Sequence, residues 1–167
     1  MNGLVKRKYT GFNGNATGKK RGTEEFMRQL TKRSKGAMWN NGTWGIRPMR
    51  GKKNPSVHCT GRAGDASYRF MKVGKGRPKG RQISIKVIEK IVTNADVFGL
   101  EMLIDYQFGD FGRAYRCDRD DWKVYTKLTE VGGGTGDWYH VELAEEFAMS
   151  AAKVKAAFDK VFGPLPV

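Results

Sequence analysis

The sequence has 167 residues, of which 39% are hydrophobic and 11% aromatic, enough for one domain with a substantial core. Its apolar runs are far shorter than the ~20 residues that a membrane-spanning helix needs, so the sequence predicts no membrane span. Its N-terminus lacks the apolar core of a signal peptide. We therefore expect synthesis in the cytoplasm, followed by release if the protein acts outside the cell.

The net charge of +14 is concentrated in the first part of the chain. Residues 1–62 contain 15 Lys or Arg against two Glu, whereas residues 63–167 contain 16 basic against 15 acidic residues. This asymmetry indicates a polyanionic partner. Nucleic acid and an anionic bacterial cell wall both fit, and a solvated surface that only aids solubility is the third interpretation.

Residues 1–22 are basic and rich in Gly and Asn, and we expect them to form a flexible lead-in to a domain over residues 23–167. Thr23 is expected to cap the first helix, which ends near Gly36.

The rest of the chain divides into loops, strands and two further helices. Residues 37–64 and 74–80 carry Gly and Pro and are expected to be mostly loop. Residues with the alternation or apolar content of strands lie at 65–73, 100–108, within 115–125 and at 138–143. Apolar residues at helical spacing predict a helix over 81–96 and a closing helix between 147 and 161. This mixed order predicts an α+β fold in which a small antiparallel sheet packs against helices.

His58 and His140 are the only two histidines, and each lies near a carboxylate in the sequence. Asp65 follows His58 by seven residues, and Asp137 precedes His140 by three. Two imidazoles and one carboxylate are the three protein ligands of a catalytic zinc site, which leaves a fourth position for water. Asp137 would then remain as a base for that water, so the pattern predicts a zinc hydrolase.

The position of Asp137 requires a bend in the chain. On a regular strand, the odd separation from His140 would direct the two side chains to opposite faces. A bend at the glycine cluster ending in Gly136 would bring both side chains to one face. Glu142 shares the face of His140 on a regular strand and is a second candidate base.

Cys59 and Cys117 are too few for a disulfide framework, and no CxxC spacing indicates a structural zinc. We expect both cysteines to be reduced and packed, with a pair between them as the alternative.

Two strings carry more information than the spacing of histidines. Residues 56–65 read Ser-Val-His-Cys-Thr-Gly-Arg-Ala-Gly-Asp, and residues 137–140 read Asp-Trp-Tyr-His. They match every position of the pattern Ser-x-His-x-x-Gly-x-Ala-x-Asp with a downstream Asp/Glu-x-x-His. The chain thereby resembles the D-alanyl-D-alanine zinc metallopeptidase family, which includes D,D-carboxypeptidases, D,D-dipeptidases and the L-alanyl-D-glutamate endopeptidases of phage endolysins. The resemblance covers roughly residues 23–150.

The resemblance implies a role for each matching residue. His58, Asp65 and His140 would be the zinc ligands, and Asp137 would be the general base and acid. The family also uses an arginine before the first motif to hold the carbonyl oxygen or carboxylate of the substrate. Arg47 and Arg50 are both candidates, because a guanidinium can donate two hydrogen bonds to an oxyanion.

Ser56 belongs to the same candidate substrate-binding region. It is expected to support the first ligand by a hydrogen bond, and a plain turn serine is the alternative.

These observations predict a zinc-dependent peptidase that hydrolyses peptide bonds in peptidoglycan stem peptides or cross-links. Its partners would be peptidoglycan and anionic wall polymers. The choice between carboxypeptidase and endopeptidase activity stays open, as do the host and the oligomeric state. The alternative is a basic nucleic-acid-binding protein without catalysis, which the N-terminal charge favours although no nucleic-acid motif is recognisable.

Overall fold

Six strands form one antiparallel sheet in the computed structural model, which describes residues 6–68, 80–131 and 136–166. In chain order the strands are β1 (Trp39–Asn40), β2 (Ala63–Ser67), β3 (Leu100–Asp105), β4 (Arg113–Arg116), β5 (Asp121–Val124) and β6 (Trp138–Leu143). Their order across the sheet is β1-β2-β6-β3-β4-β5, and every neighbouring pair is antiparallel. The last strand in sequence therefore lies near the centre, between β2 and β3.

The helices of the described residues are α1 (Arg21–Arg33), α2 (Gly80–Thr93), α3 (Leu128–Val131), α4 (Glu145–Ala148) and α5 (Ala151–Phe162), with a 3-10 turn at Val57–Thr60. Buried residues of α1, α2 and α5 belong to the same apolar cluster as residues of the sheet. The predicted α+β fold is thus confirmed. None of the helices in these parts of the chain combines the length and the apolar character needed to cross a bilayer.

Strand β6 separates the two faces of the sheet by its alternating sequence. Tyr139, Val141 and Leu143 belong to the apolar core beneath the helices. His140 and Glu142 alternate with them, so these two side chains lie on the opposite face. The helices therefore cover one face of β6, and the other face is available for a polar site.

The register between the strands decides which residues meet on that second face. Asp65 of β2 lies directly opposite His140 of β6, and Ile104 of β3 lies opposite His140 on its other side. Residues directly opposite in an antiparallel pair have Cβ atoms about 5 Å apart. Pairing of β2 with β6 alone therefore brings the carboxylate of Asp65 next to the imidazole of His140.

The first helix begins before the predicted cap. Helix α1 starts at Arg21, and the flanking Lys20 makes no side-chain capping bond. The hydroxyl of Thr23 instead donates to the carbonyl oxygen of Gly61 at 2.7 Å. The capping prediction for Thr23 was wrong, because a bond to a distant loop replaced the local one.

Residues 6–20 contain no helix or strand, but their side chains are bonded to the body of the domain. Arg7 donates to the carboxylate of Asp96 at 2.7 Å, and the hydroxyl of Thr10 donates to Glu101. The prediction of a flexible lead-in did not foresee these contacts, which join the segment to β3 and to the loop before it.

The other predicted elements agree with their predicted positions to within a few residues, and β6 has the predicted bounds. Strand β1, the 3-10 turn and α3 were not predicted. The closing helix is interrupted, because Ser150 caps α5 by accepting a hydrogen bond from the backbone N–H of Lys153. Cys59 and Cys117 are both free and buried, as expected. The predictions for 69–73, for most of the loop at 74–80 and for the glycines at 132–135 lie outside the described residues.

Helix α1 packs against α4 through a glycine that no larger residue can replace without a shift of the backbone. A Cβ atom at Gly22 would lie 1.8 Å from the carbonyl oxygen of Phe147. We expect Gly22→Ala to lower the free energy of unfolding by about 1–3 kcal/mol in urea denaturation. This is the net loss, after subtraction of the ~1 kcal/mol that alanine gains over glycine within a helix.

Gly18→Ala is the matched control, because no atom lies within 4 Å of a Cβ at that position. Equal stability of Gly22→Ala and the wild type would contradict the close approach of α1 to α4.

Candidate metal centre

Three potential metal ligands meet at the wall of a cavity of about 460 Å³ on the face of the sheet away from the helices. One ligand atom each from His58, Asp65 and His140 lies within 4.8 Å of the other two. Both histidines are buried, with 2% and 7% of their surface exposed. The structure thus brings together the three residues that the sequence predicts as ligands, and the cluster could hold a metal ion.

The 3-10 turn at Val57–Thr60 positions His58. The Ser56 hydroxyl caps this turn by accepting a hydrogen bond of 3.3 Å from the backbone N–H of His58. Gly61 closes the turn with a φ of 71°, a conformation that glycine adopts without steric cost. Ser56 therefore supports the backbone of the first ligand. It also lines the cavity, where its role toward a substrate stays a prediction.

Asp65 faces both imidazoles with one carboxylate oxygen. Its Oδ1 lies 3.0 Å from Nδ1 of His140 and 3.2 Å from Nε2 of His58. The His58 contact lacks hydrogen-bond geometry, and the buried Nε2 has no hydrogen-bond partner among the described residues. A buried polar atom without a partner is costly, and a metal ion at this point would satisfy it. The donor set therefore fits a metal.

Arg47 is paired with the other oxygen of the same carboxylate. One guanidinium nitrogen lies 2.9 Å from Oδ2 of Asp65. This contact orients Asp65 and leaves its Oδ1 directed at the two histidines.

Arg50, the second candidate for substrate binding, has a different environment. Its guanidinium lies over the rings of Tyr106 and Trp138, 5.3 and 5.1 Å from their centres. All three residues line the cavity. Of the two candidate arginines, Arg47 is therefore paired with the candidate metal ligand Asp65, whereas Arg50 lies against two aromatic rings.

Glu142 bonds the nitrogen of His140 that faces away from Asp65. Its Oε1 lies 2.9 Å from Nε2 of His140, and its Oε2 accepts a hydrogen bond of 2.8 Å from the hydroxyl of Tyr9. Both carboxylate oxygens are therefore occupied, which argues against the alternative role of Glu142 as a base. Sequence patterns gave no sign of Tyr9, because it belongs to no motif and reaches the site from a segment without regular structure.

The electrostatic environment differs between the two histidines. Burial lowers the pKa of His58 and favours the neutral imidazole that binds metals. Burial also lowers the pKa of His140, but hydrogen bonds with Asp65 and Glu142 outweigh burial and raise it to about 10. Burial acts to raise the pKa of Asp65, yet the two imidazoles hold it well below its usual range. In the absence of a metal, these shifts favour an ionised Asp65 beside a protonated His140.

Asp137 is not brought into this cluster. It immediately precedes β6 and is not among the residues that line the cavity. Its carbonyl oxygen accepts a hydrogen bond from the backbone N–H of Tyr68. Burial raises the pKa of Tyr68 to about 12, and the charge of Asp137 contributes to that rise. The carboxylate of Asp137 is thus near Tyr68, and its role as a base stays a prediction.

Binding of a divalent transition metal should stabilise the protein. At 100 times its dissociation constant, a metal that binds only the folded chain adds about 2.7 kcal/mol. For a domain of this size, we expect a rise in melting temperature on the order of 5–10 °C. Thermal denaturation with and without added metal measures this shift, and Asp65→Asn should abolish most of it.

Asp159→Asn is the control, since that carboxylate is partly exposed and pairs with Arg33 and Lys155 outside the cavity. An undiminished metal shift in Asp65→Asn would contradict the assignment of Asp65 as a ligand.

Comparisons of the chain with protein-family models, with curated proteins and with solved structures found no match. The resemblance of the two motifs to a family of peptidases therefore stays a prediction, and function has to be inferred from the residues of the site.

Proposed function

We propose that the protein is a zinc-dependent peptidase that cleaves peptide bonds in peptidoglycan. The observation that carries this proposal is the convergence of His58, Asp65 and His140 on one buried point at the wall of a cavity. Two imidazoles and one carboxylate suit zinc, and three protein ligands are the number found in catalytic zinc sites.

Zinc held by these residues would supply a polarised, acidic water as the nucleophile at neutral pH. The protein contributes the alignment of the ligands. Arg47 holds Asp65, and Glu142 holds His140, so each ligand is already oriented toward the cluster. The burial of both histidines excludes bulk water from one side of the centre.

The cavity offers features suited to a peptide that carries carboxylates. Arg50 and Lys52 bring positive charge to its lining, and Tyr106 and Trp138 provide aromatic surface. Stem peptides of peptidoglycan contain free carboxylates and small apolar side chains. We propose that Arg50 binds a carboxylate or a carbonyl oxygen of the substrate, because its guanidinium can donate two hydrogen bonds to either.

The positive charge of the N-terminal part of the chain is consistent with an enzyme that acts at a polyanionic surface. Residues 6–20 lie against the same domain that carries the site, so their charge would draw the enzyme to anionic wall polymers. Nucleic-acid binding, the alternative, accounts for this charge but leaves the buried cluster of two imidazoles and a carboxylate without a purpose.

Asp137 is the proposed base, and this assignment depends on the match to the motif pattern. The charge of Asp137 acts on Tyr68, and Asp137 is not among the residues that line the cavity, so the role rests on the motif alone. The proposal of a zinc peptidase stands on the ligands and the cavity, whereas the identity of the base is a separate question with its own test.

The proposed activity predicts metal-dependent lysis of purified bacterial cell walls. We expect the wild type to contain about one zinc per chain and to clear a suspension of sacculi. A chelator should stop the clearing, and added zinc should restore it. His140→Ala should lose both zinc and clearing, with analysis of the released fragments identifying the bond cut.

Clearing that survives complete removal of metal would overturn the zinc mechanism. Bound zinc without release of any peptidoglycan fragment would overturn the proposed substrate but not the metal centre.

The role of Asp137 predicts a selective loss. Asp137→Asn should slow wall lysis by about 100-fold or more, the usual contribution of a general base, while zinc content stays at the wild-type value. Glu142→Gln serves for comparison, since Glu142 is the other acidic candidate. Wild-type lysis by Asp137→Asn would remove Asp137 from the mechanism.

A further inference from the structure

We infer that Tyr9 is a positioning residue of the metal centre, which acts through Glu142 to hold His140 with Nδ1 directed at the metal. This inference rests on the metal site of the proposed function but not on the identity of its substrate. It assigns a purpose to the N-terminal segment beyond its charge.

The hydrogen bonds form a chain of three residues that ends at the candidate ligand. The Tyr9 hydroxyl donates to Oε2 of Glu142 at 2.8 Å, and Oε1 of Glu142 lies 2.9 Å from Nε2 of His140. A carboxylate can only accept hydrogen bonds, so Nε2 of His140 carries a proton. The other nitrogen, Nδ1, is the one that faces Asp65 at 3.0 Å. Asp65 is a carboxylate too, so both ring nitrogens donate in the structure as it stands. Glu142 lies on the side of the ring away from the cluster and holds the proton on Nε2, which leaves Nδ1, beside Asp65, as the nitrogen that would give up its proton to bind a metal.

Contacts hold both the ring of Tyr9 and the chain that precedes it. The guanidinium of Arg116 lies 4.8 Å from the centre of the ring. On the chain before it, Arg7 bonds to Asp96 and to the carbonyl oxygen of Leu100.

The chain after Tyr9 is anchored as well. The hydroxyl of Thr10 donates to Glu101, and the carbonyl oxygen of Gly11 accepts from the guanidinium of the fully buried Arg62. These contacts on both sides of Tyr9 already order the chain around it. The hydrogen bond from Tyr9 to Glu142 therefore forms with little further loss of conformational entropy.

Without Tyr9, Glu142 would lose the donor to one of its buried oxygens. Glu142 is 4% exposed, so water could not easily replace the missing hydroxyl. A buried carboxylate with an unsatisfied oxygen tends to rotate toward another donor. The Nε2–H of His140 would then lose its fixed acceptor, and Nδ1 would no longer be presented to the metal in a single orientation.

The test measures zinc affinity by competition with a chelator, on the full-length chain. Glu142→Ala should weaken zinc binding by about 10- to 100-fold, the usual effect of removing a carboxylate that bonds a ligating histidine. Tyr9→Phe removes only the hydroxyl and should weaken zinc binding by a smaller factor, on the order of threefold to tenfold. Glu142→Gln retains an acceptor for Nε2–H and should fall between the wild type and Glu142→Ala.

Tyr115→Phe is the matched control, because it removes a buried tyrosine hydroxyl that donates to Asp120, away from the cavity. Its zinc affinity should equal that of the wild type. Thermal denaturation of the metal-free proteins separates a loss of stability from a loss of affinity.

Proton–nitrogen correlation spectra of the zinc-loaded protein supply a readout that a purely structural role would not change. The chain has only two histidines, so their ring signals are readily assigned. We expect His140 to be protonated at Nε2 in the wild type and in Glu142→Gln. In Glu142→Ala, this proton should exchange faster with solvent, and in Tyr9→Phe it should show an intermediate rate.

The possible failures are distinguishable. If the wild type binds zinc and Tyr9→Phe binds it with unchanged affinity, the inference on Tyr9 is overturned and the metal centre stands. If the wild type binds no zinc, both the centre and the inference are overturned. If zinc binds as expected but cell walls are not cleaved, only the proposed substrate fails.

Discussion

The antiparallel register of β2 against β6 is the constraint on which the candidate site depends. It places Asp65 opposite His140, and the alternation of β6 directs both side chains away from the helices. A shift of one residue would turn His140 and Glu142 into the apolar core and expose Val141 to the cavity. The buried side chains of the core thus fix the register, and the register fixes the arrangement of the ligands.

Several charged side chains lie close together on the face of the sheet that lines the cavity. Loss of any one of them would leave a buried charge without its partner. Asp65 is satisfied by Arg47 and His140, and Glu142 by Tyr9 and His140. Buried ionic groups cost desolvation energy and are tolerated where every oxygen has a partner. The Nε2 atom of His58 is the exception among the described residues of this network, and a metal ion at the cluster could supply its missing partner.

Patterns within short stretches of the sequence predicted the strand and the ligand residues, because neighbouring residues determine both. The alternation of 138–143 defined β6, and the two motif strings indicated the three residues that converge on the cavity. Contacts between distant segments were not predictable in this way. Thr23 bonds to Gly61 rather than capping its own helix, and Tyr9 reaches Glu142 from the other end of the chain. Asp137 follows a glycine cluster, and no periodicity in the sequence specifies the conformation of such a cluster.

The central place of β6 has a consequence for the order in which the molecule assembles. Its neighbours β2 and β3 both precede it in the chain and do not pair with each other, so the sheet stays in two pieces until β6 is inserted. Asp65 and His140 are separated by 75 positions, and the entropy of closing such a loop is offset only when β6 pairs on both sides. His140 therefore cannot join Asp65 until β6 has been synthesised and has paired with β2. Assembly of the three candidate ligands is thus coupled to the joining of the two parts of the sheet.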